Sequence, residues 1–489
     1  MSSEFAVDAG LLLAGCLIVV GSVASGLASR FSVPSLLLFL GLGMVVGDDV
    51  LGLVRFDDVS LAQNIAIVAL VVILFEGGLG TEPQAFRAVG VPAGLLATVG
   101  VVVTAGVVAL AAWVLLGLPG ETALLLGSVV ASTDAAAVFA ALRDSPLPLR
   151  TQRLLQLESG MNDPVAVLLT VGTVEVWRGD PGAGDWAWFL AVQLVAGAVI
   201  GLVVGVAGQL LVDRLRGRAV SSLGVVTLGI AAVSYGATTA VGGSGFLAVY
   251  LTGVMIARAR RRTRGVLQFH EGLASTAQGV LFLLLGILVF PSQLLDDLGR
   301  ALVLTLVLAM VARPAAVFAV LTWFRIPVRR MLLISWAGLR GAVPVVLATI
   351  PLTAGHPDGS LVFDVVFVVV FISVALQGPT IGPLVHRLGI VPDEPRTVEP
   401  ELVPIEALDA DLVEVTVPAG STLSTVPLRE CPPPSGARVV FVRRADESLV
   451  PDGETYLAPQ DVLLVIASRR CSLEDLDRWS RGGASSDRV

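Results

Sequence analysis

Lysine does not occur anywhere in the 489 residues, and histidine and tyrosine occur three times each. Charged side chains make up only 15% of the chain against 55% hydrophobic ones, too few to cover a water-soluble globule with polar surface. A soluble fold is thereby excluded, and lipid must solvate most of the chain. The scarcity of cysteine excludes a disulfide framework. Cys16 falls in an apolar stretch, Cys431 and Cys471 in a polar tail, and no CxxC or Cys/His spacing forms a metal site. The histidines, His270, His356 and His386, fall at the ends of apolar runs or between them and read as surface residues. No nucleophile, metal-ligand or cofactor motif of an enzyme is present, so no cofactor is expected. A cation channel needs a filter, and no sequence of the TVGYG kind occurs. The formal net charge of −8 mixes regions of opposite sign and gives no support to nucleic-acid binding.

What the chain has in abundance is long apolar runs. Crossing a bilayer takes about 20 apolar residues at about 1.5 Å each. Up to residue 390 the chain divides into about thirteen such segments: 7–28, 33–47, 61–79, 90–117, 122–142, 152–176, 186–212, 221–240, 244–259, 272–291, 301–324, 331–353 and 361–386. The first follows Glu4 and Asp8 and lacks a basic flank, so it reads as a retained span and not a cleaved signal.

Alternate loops differ sharply in arginine. One set holds Arg30, Arg87, Arg143, Arg150, Arg153, Arg214, Arg216, Arg218, the RARRRTR run from Arg258 to Arg264, Arg325, Arg329, Arg330 and Arg387. The other holds Arg55, Arg178 and Arg300 beside Asp48, Asp49, Asp57, Asp58, Asp180, Asp185, Asp296 and Asp297. Cytoplasmic loops collect arginine, so the N-terminus is expected outside and the C-terminus in the cytoplasm, which requires an odd number of spans.

Spans two and three contain SLLLFLGLGMVVG and VVILFEGGLG, and spans nine and ten contain GFLAVYLTGVMIAR and VLFLLLGILV in the same order. Six spans, one linking span and six more would place two such repeats in opposite orientation, the plan of secondary transporters. The expected fold is therefore an all-α polytopic membrane unit over 1–390, with two inverted six-helix repeats and crossed broken helices. Beyond it the composition turns polar. Residues 391–408 read as a linker, 409–479 as a small α+β domain, and 480–489 as a disordered tail. The strands of that domain are LVEVTV, ARVVFVRR and DVLLVIAS, with turn chemistry at PAGS and PDGE between them. A domain of about 70 residues is marginal alone, so pairing in a homodimer is expected.

An ionisable group in mid-membrane costs at least a few kcal/mol and is a functional candidate by default. Glu76, Asp134, Glu158, Asp163, Arg313 and Arg340 fall inside spans. Four acids against two bases cannot all pair, so at least one carboxylate is left to titrate or bind a cation. Asp163 is the best placed, next to Asn162 and before Pro164, whose ring removes a backbone donor and loosens the helix. Ser159 lies one turn earlier on the same face and can supply a neutral oxygen. Glu158 points about 140° away around the helix, toward another partner, for which Arg313 is the obvious base. STDAAAVF around Asp134 and WAGLRGAVPVV around Arg340 read as broken helices. If they cross, Asp134 neutralises half-helix N-termini and Arg340 the C-termini, and the Thr133 carbonyl is freed to coordinate a cation. Glu76, followed by Gly77 and Gly78, approaches the same cavity or stabilises a bend.

The motifs LFEGGL, STDAAAVF, LESGMNDPVAV, ARPAAV and GLRGAV stand in the order found in the cation/proton antiporter superfamily. From about residue 10 to 390 the chain resembles the branch that includes bacterial sodium/proton and potassium/proton antiporters and animal sodium/hydrogen exchangers. That resemblance implies Asp163 as the carrier of protons and cations, Ser159 and the Thr133 carbonyl as ligands, Asn162 as support, and a Glu158–Arg313 pair. In that family an Asn-Asp pair with arginine looks like the electroneutral kind, and the expected setting is the bacterial cell membrane. The tail over 409–468 resembles the TrkA-C lobe of RCK (regulator of potassium conductance) domains, although Gln460 stands where such lobes usually have glycine. This implies potassium ahead of sodium as the exchanged ion, regulation by the tail, and cyclic di-AMP as a possible ligand of the tail.

Overall fold

In the computed structural model the chain separates into two compact units, Met1–Pro392 and Asp393–Val489. The structure describes residues 15, 19, 35–54, 58–81, 83–134, 137–139, 142, 147–179, 183–215, 223–259, 264–390, 398–405, 410–418, 420–444, 447–468 and 471–481. Outside the described residues lie nearly all of the expected first span, with Cys16, and Arg30, Arg55, Asp57, Arg143, Asp180, Arg216 and Arg218. So do most of the RARRRTR run, residues 391–397 and residues 482–489.

Hydrocarbon offers no partner to a backbone N–H or C=O, so each apolar run closes its own hydrogen bonds as a helix. The helices are α1 (Ser35–Val46), α2 (Val59–Gly80), α3 (83–116), α4 (Gly120–Val129), α5 (Leu149–Gly179), α6 (Ala183–Arg214) and α7 (Leu223–Ala240). They continue with α8 (Gly245–Ile256), α9 (Arg264–Leu288), α10 (Pro291–Phe324), α11 (Val328–Trp336), α12 (Ala342–Thr353) and α13 (Gly359–Arg387). Seven helices among the described residues are long and apolar enough to cross a membrane, and α1, α8 and α12 are apolar but shorter. Each of the other twelve expected spans meets a helix. The starts of α9 and α10 come eight and ten residues early, because amphipathic turns such as QFHEG and QLLDDLG extend the helix beyond its apolar stretch. Local caps fix several ends: Asp58 accepts from the Leu61 amide at 2.9 Å, and Gly117 closes α3 in the left-handed conformation.

The repeat is visible in helix anatomy. Both α1 and α8 have 12 residues, and α3 and α10 each contain a π turn, at Leu96–Gly100 and Leu308–Ala312. The span of α4 and that of α11 and α12 are both interrupted. Two matching crossings join the halves, α1 with α9 and α2 with α8. A Cβ on Gly43 would lie 2.9 Å from Gly286 Cα, and one on Gly78 would lie 3.2 Å from Gly253 Cα, so bare backbone is what lets these helices meet.

The second unit is an antiparallel sheet in the order β1-β2-β5-β3-β4, with β1 (Val398–Ile405), β2 (Ala410–Thr416), β3 (Ala437–Arg444), β4 (Glu447–Leu449) and β5 (Val462–Ser468). Strand β1 lies within 391–408, where the sequence suggested only a linker. It pairs with β2, and its prolines 400 and 404 suit the edge position it takes, because an edge strand can spare N–H donors. Helix α14 (Leu473–Ser480) covers the core with Trp479, whose Nε1 donates to the Cys431 carbonyl at 3.1 Å.

Candidate functional site

Two broken spans meet backbone to backbone. α4 stops at Val129, the chain runs unwound through Thr133 and Asp134, and α11 stops at Trp336 before α12 resumes at Ala342. The Asp134 amide donates to the Leu339 carbonyl at 2.8 Å. Fully buried Arg340 donates through Nη1 to the carbonyls of Ala131 and Ser132 at 3.1 and 2.5 Å. These carbonyls follow the C-terminus of α4, where the helix has no donor to offer and partial negative charge gathers. Asp134 answers at the other kind of end, accepting from the Ala137 amide through Oδ1 at 3.3 Å and from Gln278 through Oδ2 at 3.3 Å. Glycines flank Arg340 because charged groups occupy the space beside them. A Cβ on Gly338 would lie 2.5 Å from Arg313 Nε, and one on Gly341 would overlap the Asp134 carboxylate. Helix α13 braces the break: Ser373 accepts from the Arg340 amide at 3.3 Å and donates to Gln377 at 2.6 Å within a π turn.

Helix α5 brings the remaining groups. Buried Asn162 donates to Thr133 Oγ1 at 2.6 Å, and that hydroxyl lies 3.3 Å from Ser159 Oγ, so Thr133, Ser159 and Asn162 form one cluster. Asp163 is buried on the next residue, with Ser132 and Asp134 as its electrostatic neighbours. The Oδ1 atoms of Asn162 and Asp163 have no hydrogen-bond partner among the described residues. On the opposite face Glu158 Oε1 accepts from Arg313 Nη1 at 2.5 Å, with the two side chains only 1% and 4% exposed. Arg313 follows the π turn of α10, which turns it toward α5. Glu76 is half-buried on α2, with Glu271 as its electrostatic neighbour and Gln156 close by at Gly80.

The histidines depart from the surface positions expected of them. His270 is buried, with Nε2 2.8 Å from Thr227 Oγ1 and its ring against Phe75 and Phe269, while His356 is buried against Trp177. His386 alone is exposed. Sequence reasoning also passed over Gln278, Gln377, Tyr250 and Asp364. Asp364 sits half-buried on α13 near Asp297, and an acid inside LVFDVVFVVV was a readable signal. Gln278, an amide amid AQGVLFLLL, was another.

Among known proteins, the family described as "Sodium/hydrogen exchanger, transmembrane" matches residues 16–387, and the TrkA-C domain matches residues 412–470. A curated relative, the K(+)/H(+) antiporter NhaP of Alkalimonas amylolytica, is 39% identical over 98% of this chain and 85% of its own. The K(+)/H(+) antiporter NhaP2 of Shewanella sp. (strain MR-4) is 35% identical over 96% of this chain and 83% of its own. The solved structure of the sodium proton antiporter MjNhaP1 from Methanocaldococcus jannaschii at pH 8 superposes with a TM-score of 0.70, covering 78% of this chain and 99% of that one. At 20% identity it speaks for the fold alone.

Proposed function

The chain belongs to the sodium/hydrogen exchanger family, and from that premise we propose that it exchanges potassium for protons one for one, with Asp163 carrying either ion. The observation that supports this most is the occupation of the other buried acids. Arg313 holds Glu158, and the Ala137 amide and Gln278 hold Asp134 at the break between the crossed spans. Asp163 has no basic partner among the described residues, and its Oδ1, like Glu158 Oε2, is engaged by no donor. Ser159 and the Thr133 carbonyl serve as further ligands, Asn162 holds Thr133 in place, and Glu76 assists the cation from α2. Glu158, Arg313, Asp134 and Arg340 form the structural charge network. Exchange proceeds by alternating access, the two repeats rocking about the crossed breaks. Potassium is preferred to sodium in this reading on the strength of the relatives named as potassium antiporters, which match nearly the whole chain.

The arginine-rich alternate loops support an N-terminus outside and a cytoplasmic tail. The TrkA-C match over 412–470 supports regulation of exchange by that tail, with cyclic di-AMP as its ligand and pairing of two copies in a homodimer. The direct test of the carrier is Asp163→Asn in proteoliposomes. An amide can neither be charged nor release a proton, so the variant should insert yet show no potassium-dependent proton flux. Flux above that of empty vesicles contradicts the assignment.

A further inference from the structure

Tyr250 stands on α8, in the repeat opposite to every proposed cation ligand. Its side chain is 1% exposed, and its hydroxyl has no hydrogen-bond partner among the described residues. A buried hydroxyl without a partner costs on the order of 1–3 kcal/mol. Thr81 is a close polar neighbour but makes no well-formed hydrogen bond to it, and Thr81 gives its own proton to the Gly77 carbonyl at 2.8 Å.

The ring rests on α5 at Gly160. A Cβ there would lie 2.5 Å from Cε2 and 3.1 Å from Oη of Tyr250, so only glycine lets the tyrosine approach so closely. Gly160 lies between Ser159 and Asp163. Residues three apart share a helix face, with about 5–6 Å between their Cβ positions, which sets the Tyr250 hydroxyl over the turn that ends in Asp163. The hydroxyl is within electrostatic reach of that carboxylate but not bonded to its Oδ1, since both atoms are without partners. Pro164 has no N–H to offer the Gly160 carbonyl, so one more oxygen of this turn stands outside the helix ladder.

We propose that the Tyr250 hydroxyl is a further oxygen ligand of the monovalent cation, supplied by the second repeat, and that it sets cation affinity and choice. A phenol can turn a lone pair to a bound cation or to the O–H of the protonated carboxyl, so one neutral group serves both loaded states of the site without altering the charge balance. Because α8 packs mainly against α2, α6 and α7 and meets α5, which bears the carrier, in a smaller contact, displacement of α5 past α8 makes or breaks this ligand. The inference rests on Asp163 as carrier.

The test uses the full chain in proteoliposomes, with initial proton flux driven by potassium or by sodium. Tyr250→Phe keeps the ring and removes one oxygen. It should raise the apparent KM for potassium about tenfold, the order expected for one lost ligand, with a different factor for sodium. Maximal rate should fall far less than affinity, and melting in detergent should not fall, since the hydroxyl removed has no partner to lose. Gly160→Ala, which pushes the ring off the turn, should raise KM in the same direction. Unchanged KM for both ions in Tyr250→Phe overturns the proposal, as does a joint fall of maximal rate and melting temperature with KM intact. Asp163→Asn in the same preparation separates the two ideas. An active Asp163→Asn means that the carrier reading fails, whereas an inactive one beside an unaltered Tyr250→Phe means that only this inference does.

Discussion

The Asp134 amide donates to the Leu339 carbonyl at 2.8 Å, tying the break in one repeat to the break in the other. Arg340 then reaches back to the Ala131 and Ser132 carbonyls, so each interrupted span completes the hydrogen bonding of its counterpart. Neither break can shift without the other, and the turn carrying Thr133 moves with both.

The tightest point of this crossing gives the first prediction. A methyl group on Gly341 would overlap the Asp134 carboxylate, which the Ala137 amide and Gln278 hold in place. Gly341→Ala should cost about 1–3 kcal/mol of stability by overpacking and lower exchange in proportion to the loss of correctly folded protein or more. Melting in detergent and initial flux check it together. A variant with wild-type melting and flux would show that the crossing is slack.

The buried Glu158–Arg313 pair gives the second. Removing one partner strands the other charge, at a cost of about 3–5 kcal/mol, so Glu158→Gln and Arg313→Ala should each melt markedly lower in detergent. Combining Glu158→Gln with Arg313→Ala should recover part of the loss. Additive losses in the double variant would mean that the two side chains act independently.

Much of this was legible in the sequence because lipid simplifies the code. Helix α8 lies within one to three residues of the apolar run 244–259, and the excess of acids over bases already implied a carboxylate left without a base. What stayed hidden depends on contacts far apart in the chain. His270 sits at the end of an apolar run and is buried only because Phe75 and Thr227 pack onto it. Tyr250 reads as one more aromatic in VYLTG until Gly160 is seen beneath its ring. The strand β1 was masked by prolines 400 and 404, which argue against a central strand and are compatible with an edge one.

Gln460 illustrates a departure that the sequence marked and the backbone explains. It adopts φ +72°, the left-handed region, with its amide held by the Val417 carbonyl at 2.8 Å. An L side chain there costs about 1 kcal/mol or more, so Gln460→Gly should stabilise the tail by about 1 kcal/mol. Slower hydrogen exchange of the β5 amides in the full chain would report it. Faster exchange would mean that the glutamine side chain makes a contribution larger than its strain.

Asp461 sets the pH dependence of the tail. Burial pushes its carboxyl upward, but the Arg444 hydrogen bonds at 3.0 and 2.7 Å, the Ala458 amide at 2.7 Å and the Arg444 charge together hold it below the usual range. A carboxyl depressed in the folded state stabilises above its unfolded pKa of about 4, and the benefit fades as pH falls from there through the lower folded value. Asp461→Asn should therefore cost about 1–2 kcal/mol at pH 7, and much less at about pH 3. Protection of β5 against hydrogen exchange at the two pH values measures the difference. An equal cost at both would show that shape, not charge, holds Asp461.

The central claim is that one carboxylate holds either a proton or a potassium ion, and the pH dependence of potassium affinity at controlled membrane potential tests it most directly. In proteoliposomes, initial rates would be taken across potassium concentrations at several pH values, with the potential at zero and inside negative. Competition for a single site predicts that the apparent KM for potassium rises about tenfold for each unit that pH falls once protons fill the site, while the imposed potential leaves the rate unchanged. A rate that responds to voltage, or a KM that does not follow pH, would contradict one-for-one exchange at Asp163.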